Sequence, residues 1–147
     1  MKDLLLAFLV GALVTFIFDF FLFLGIKINY TDFYNIEVYF NTLFADNQNL
    51  LLFLLFTSLY GYLIIYSKNV KFIFLTLILS SLLSLATLTH TVGNFVAKTL
   101  FMQTDVTLEY KKRSYRGDIY YSGREKITFY DYKLEKMIQL NKKDIKE

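Results

Sequence analysis

Apolar positions come in long unbroken runs through the first hundred residues of this chain and in short alternations after them. From Leu4 to Ile26 there are 23 residues with a single charge, Asp19. A helix rising about 1.5 Å per residue over that run exceeds the roughly 30 Å of bilayer hydrocarbon, which predicts a membrane span. The run continues into Lys27-Ile28-Asn29-Tyr30 without a small-residue cleavage site, so it reads as a retained span rather than a signal peptide. Leu50 to Tyr66 gives 17 apolar-dominated residues and ends in Tyr60, Tyr62 and Tyr66, where an interfacial aromatic belt would lie. This predicts a second span. After Ser67-Lys68-Asn69-Val70, residues 71 to 92 hold no acidic side chain and predict a third, with helical periodicity continuing toward Phe101.

Between the first two spans, Phe33, Ile36, Phe40, Leu43 and Phe44 fall on one helical face, which predicts an amphipathic helix over about 32–45 with Thr31 or Asp32 as its N-cap. Its polar face carries Asn35, Glu37 and Asn41 rather than Lys or Arg, so packing over the bundle is as expected as lying on anionic lipid. From Gln103 onward the period changes. Val106, Leu108 and Tyr110 alternate, Ser122-Gly123 marks a turn, Ile127, Phe129 and Asp131 alternate, and Met137 to Leu140 follows a second polar turn. The predicted fold is three transmembrane helices, residues 1–102, followed by a small C-terminal antiparallel β domain, residues 103–147.

Composition agrees with lipid: 55% hydrophobic and 20% charged, against averages of roughly 45–50% and about 25% for soluble domains. With no Cys and a single histidine, His90, the chain cannot build disulfides, thiolate zinc sites or any site needing two imidazoles. Lys2, Lys68 and Lys71 share one side of the predicted bundle. The opposite loop carries Lys27 with Asp32, Glu37 and Asp46, which favours the Lys2 end inside and the β domain outside a bacterial inner membrane. Lys111, Lys112, Arg113 and Arg116, shortly after the third span, weigh the other way.

Inside the predicted membrane region, Ala7, Gly11, Thr15 and Asp19 recur every four residues, a stripe where another backbone can approach. Asp19 is expected to face protein or water there, or to be protonated. Along the third helix Thr76, Ser80, Ser84, Thr87, Thr91, Asn94 and Lys98 form what a straight helix would make a continuous polar seam, with His90 at its edge and Asp19 level with Ser84 to Thr87. Interhelical hydrogen bonding, a proton or ion path between Asp19 and His90, and a docking place for a partner's helix are the three readings open for it.

VTLEYKKRSYRGDIYYSG, EKITFYDY and KMIQLNKKDI, about 40 residues, resemble in order and spacing the Sm-like small barrel of the bacterial Sm-type RNA chaperone. The resemblance implies a strongly bent sheet, with Gly117 where that family's second strand bends. Where the family's RNA site has a Tyr-Lys-His turn, this chain has Gln139-Leu140-Asn141. Mechanosensitive channels also place a small β domain after a third membrane helix, but the third helix here lacks their Gly/Ala pore pattern. Lys111, Lys112, Arg113 and Arg116, interleaved with Tyr110 and Tyr115, are candidates for phosphate or partner contact. Acids are interspersed, and the domain has 11 Lys/Arg against 8 Asp/Glu, so nucleic acid is the disfavoured ligand. Asn29-Tyr30-Thr31 matches a glycosylation sequon, and no catalytic motif is present. The expected function is a non-enzymatic integral membrane subunit without cofactor or metal. It would scaffold an assembly with lipids, other membrane subunits or further copies of itself, with an ion- or proton-conducting oligomer and a tethered nucleic-acid binder as alternatives.

Overall fold

A computed structural model describes residues 2–111 and 113–146. Five α-helices, α1 (Lys2–Ile26), α2 (Phe40–Asn47), α3 (Leu50–Tyr66), α4 (Val70–Ala86) and α5 (His90–Phe101), precede strands β1 (Gln103–Tyr110), β2 (Arg113–Ser122), β3 (Lys126–Asp131), β4 (Lys136–Asn141) and β5 (Ile145–Lys146). The helix α1, prolonged by a π-helical turn over Lys27–Thr31, is long and apolar enough to cross a membrane. Two further helix pairs pass that test only when each is taken together across a sharp bend, 84° between α2 and α3 and 86° between α4 and α5.

The helices pack by backbone approach. A Cβ built on Gly11 would lie 1.9 Å from the Thr57 carbonyl oxygen, and one on Gly61 would lie 2.1 Å from that of Ala7. Only glycine permits α1 and α3 to touch this closely. Gly61 meets Ala7 while Gln48, just before α3, reaches Asp19, so α3 runs antiparallel to α1. Ser80 meets Tyr60, beside the Gly61–Ala7 crossing, while the Thr87 hydroxyl lies 3.2 Å from the Phe21 carbonyl, which sets α4 parallel to α1. The Lys2 end of α1 and the Ser67–Asn69 turn therefore sit at one end of the bundle, and the β domain sits at the other.

The amphipathic helix expected over 32–45 is shorter and later. Asn35 adopts a left-handed conformation (φ 53°) and Ile36–Tyr39 carry no helix, so the expected caps Thr31 and Asp32 belong to the π-helical turn instead. A left-handed residue breaks a right-handed helix. Leu43 is buried, and Phe40 and Phe44 stack edge-on against Phe20, Phe16 and Phe23 of α1.

The third helix does not run on to Val92. Asn29 donates 3.0 Å hydrogen bonds to the carbonyls of both Thr87 and Leu88, which a continuing helix would give to its own later amides. The Thr87 hydroxyl bonds back to the Ser84 carbonyl at 2.6 Å, and Gly25 and Gly93 let α1 and α5 close on the elbow. The elbow is satisfied from outside.

The strands form an antiparallel sheet in the order β4-β3-β2-β1-β5, a four-strand meander with two residues of β5 laid on β1. Ile119, Ile127, Phe129 and Leu140 make its core. Between Ile119 and Tyr121 the β2–β3 register slips, a bulge at Tyr120. A bulge re-aims side chains. Ile119 accordingly joins the sheet core while Tyr120 and Tyr121 turn to the helices. Gly117 lies so close to β3 that a Cβ there would sit 1.8 Å from the Tyr130 carbonyl oxygen.

Candidate functional site

Two constellations draw on the sequence candidates. The first is a groove of about 330 Å³ between α1, α3 and α4, lined by Thr15, Asp19, Tyr60, Ser80 and Ser84 among others. One Asp19 carboxylate oxygen accepts a 2.9 Å bond from the Gln48 amide, so the acid stands level with the start of α3 rather than halfway along it. Tyr60 donates to the Ser80 hydroxyl at 2.7 Å, and the Ser84 hydroxyl returns to its own helix at the Ser80 carbonyl. The hydroxyls of Thr15 and Thr57 are buried without a partner among the described residues. Ala7 and Gly11, on the same stripe as Thr15, are buried against α3.

The polar seam expected along a straight third helix is divided by the 86° elbow. Thr76 bonds its own Phe72 carbonyl, Ser80 and Ser84 face the groove, and Thr87 lies in the elbow. Asn94, beyond it, donates to the Asn29 carbonyl at 3.2 Å. His90 and Thr91 are exposed, and Lys98 lies 5.7 Å over the Tyr34 ring. His90 packs edge-on to Phe33, with 4.6 Å between ring centres, and takes no part in lining the Asp19 groove. The structure thus brings Asp19 together with Thr15, Ser80 and Ser84 and separates it from His90. A straight lining helix from Thr76 to Lys98 is not formed, because Asn29 takes the elbow carbonyls.

The second constellation is the junction between the helices and the β domain. Phe23, Ile26, Tyr30, Ile36, Leu43, Ala97 and Tyr121 form one buried cluster, drawn from α1, the turn after it, α2, α5 and β2. Tyr30, fully buried, donates to the Tyr120 carbonyl at 2.8 Å and stacks on its ring. Asn47 donates to the Tyr121 hydroxyl at 3.3 Å, and the Arg124 Nε lies 2.9 and 2.8 Å from the two Asp46 oxygens. The Arg124 guanidinium holds the Asp46 carboxyl below the usual carboxylate range, and burial raises the Tyr121 phenol. Neither the Tyr30–Tyr120 anchor nor the Arg124–Asp46 pair is among the expected site residues. Periodicity and spacing along the chain give no signal for either pairing. Asn29, read as a possible glycan acceptor, is buried and has its amide committed to the elbow, which removes it as an accessible sequon.

The basic cluster on the β1–β2 hairpin is largely spent within the domain. Arg116 binds Asp105 through two bonds of 2.7 and 2.9 Å, holding that carboxyl below its ordinary value. Lys111 pairs with Asp144 at 3.3 Å and lies over the Tyr110 ring. Arg113 makes no ion pair among the described residues, and Lys112 lies outside them. No group of three His, Asp or Glu among the described residues could hold a metal ion.

The chain matches no protein-family model, no curated protein and no solved structure.

Proposed function

We propose that this protein is a non-enzymatic integral membrane anchor that carries its β domain rigidly at the membrane surface as the contact module of a larger assembly. In this reading α1, α3 and α4 span the bilayer, and α2 and α5 lie near its surface after their sharp bends. The observation that carries the membrane part is an inverted distribution of side chains. Leu51 is 78% and Leu83 73% exposed, while Thr15 and Thr57 are 2% and 0% exposed. Water would penalise such an outer surface heavily, and lipid does not. The helix α5 fits the surface position, because Val92, Phe95 and Leu100 are exposed while Gly93, Asn94 and Ala97 face inward.

The scaffold part rests on the junction. A tethered domain on a flexible linker would need no buried cluster, yet Tyr30, Tyr120 and Tyr121 weld β2 to the ends of the helices. Rigid placement favours a module that meets a partner in one orientation. Positive charge at Lys2, Lys68 and Lys71 supports an inside location for that end and an outside location for the β domain in a bacterial inner membrane. Purification in mild detergent at native expression tests the scaffold role: stoichiometric partners or a homo-oligomer are expected, and a clean monomer contradicts it.

A further inference from the structure

We infer that the groove between α1, α3 and α4 receives a transmembrane helix of another protein bearing a lysine or arginine, with Asp19 as the counter-charge. This rests on the membrane reading above. Gln48 occupies one Asp19 oxygen, and no donor among the described residues reaches the other. The Tyr60 and Ser84 hydrogens are already given to Ser80, and the buried Thr15 hydroxyl in the groove has no partner. What remains unspent is one carboxylate oxygen of Asp19, with the Thr15 and Ser80 hydroxyls in the same groove each able to donate or accept. Such a site is completed by a donor, and best by a cationic one.

The shape points to a helix. Thr15 and Asp19 on α1, and Ser80 and Ser84 on α4, are each spaced by four residues, so two helices present small or polar positions in register. Between the bulkier Phe18, Leu22, Phe56, Tyr60 and Leu83 that also line the groove, these positions leave room for a side chain entering from a neighbouring helix. The groove also opens sideways, since Phe56 (39%) and Leu83, both lining it, are exposed. A second copy of this chain does not supply the complement: in the span Lys2–Thr31 the basic residues are Lys2 at the far end and Lys27, which is already paired with Asp32, α3 has none, and α4 has only Lys71 in its first turn, at the far end. Because Asp19 is level with the start of α3, the partner's cation belongs near the β-domain end of its helix.

The test uses the full chain in phosphatidylcholine vesicles with a donor dye on Ser122→Cys. The probes are synthetic Leu/Ala peptides of about 20 residues, enough to span, with an acceptor dye. One carries a single Lys near the end that meets the β-domain side, one carries it two turns deeper, and one carries Leu. The first should bind about tenfold more tightly than the Leu peptide, the deeper Lys should lose most of that gain, and Asp19→Asn should abolish it while Asp19→Glu keeps it. Equal binding of Lys and Leu peptides, a Lys preference that survives Asp19→Asn, or loss of the preference when phosphatidylethanolamine supplies lipid amines would each overturn the inference. A failure of the membrane reading itself shows separately, as dye labelling of Asn69→Cys and Ser122→Cys from the same side.

Discussion

The helix α1 is gripped in two opposite ways along its length. Toward Lys2 it meets α3 through Ala7, Gly11 and Gly61, backbone against backbone, with Leu and Phe turned outward. Toward Thr31 it meets α2, α5 and β2 through Phe23, Ile26 and Tyr30, with large side chains turned inward. The second arrangement is what the hydrophobic effect produces in water. The first gains nothing from that effect and depends on close packing, as helices in lipid do. One helix passes from the first pattern to the second, as a helix leaving lipid for water would.

The contrast can be broken most severely at the glycines. Gly61→Leu and Gly11→Leu force side chains into carbonyl oxygens that cannot yield, and each should cost about 3 kcal/mol or more, read as loss of folded protein in detergent. An outward substitution such as Leu83→Ala should leave detergent stability within ~0.5 kcal/mol. At the junction, Asn29→Ala orphans the two elbow carbonyls and should cost about 2 kcal/mol or more; spin labels on α4 and α5 should report a changed elbow angle. Tyr30→Phe keeps the buried ring and removes its bond to Tyr120, so about 1 kcal/mol is expected in denaturant unfolding of the β domain.

The smallest effect is electrostatic. Asp46 is held below the ordinary carboxylate value by Arg124, so the pair contributes above the unfolded value, about 3.9, and is lost as pH falls through the lower folded one. Distances between spin labels on Lys68→Cys and Ser122→Cys should stay narrow from neutral pH down to about 5 and broaden only in stronger acid. Arg124→Gln should remove that acid step. The Asp105–Arg116 pair follows the same sign but acts within the sheet, so it should leave this distance unchanged.

Periodicity along the chain was enough to place α1, α3, most of α4 and the β meander, because apolar runs and alternations are local properties. The elbow at Thr87 was not legible, since it depends on Asn29, 58 residues earlier, taking a carbonyl that local periodicity assigns to the helix. Asn35 likewise ended the expected amphipathic helix through a backbone conformation, not a side-chain pattern. Helical spacing in parallel helices set Asp19 level with Ser84 to Thr87; the groove holds it with Ser84 and Ser80 but not Thr87, and the Gln48 and Tyr60 contacts required knowing where α3 begins. The junction pairs join residues 78 and 90 apart, and nothing local announces them.

If α1, α3 and α4 each cross the bilayer, the β domain and Asn41 of α2 lie at one face and the Asn69 turn at the other. Single cysteines at Asn41, Asn69 and Ser122, all exposed, can be exposed to a membrane-impermeant thiol reagent in intact cells, with the outer membrane permeabilised where there is one. Labelling is expected at Asn41→Cys and Ser122→Cys, with protection of Asn69→Cys until the inner membrane is breached. Labelling of Asn69→Cys together with Ser122→Cys, or of Asn41→Cys apart from Ser122→Cys, would contradict the three-span arrangement.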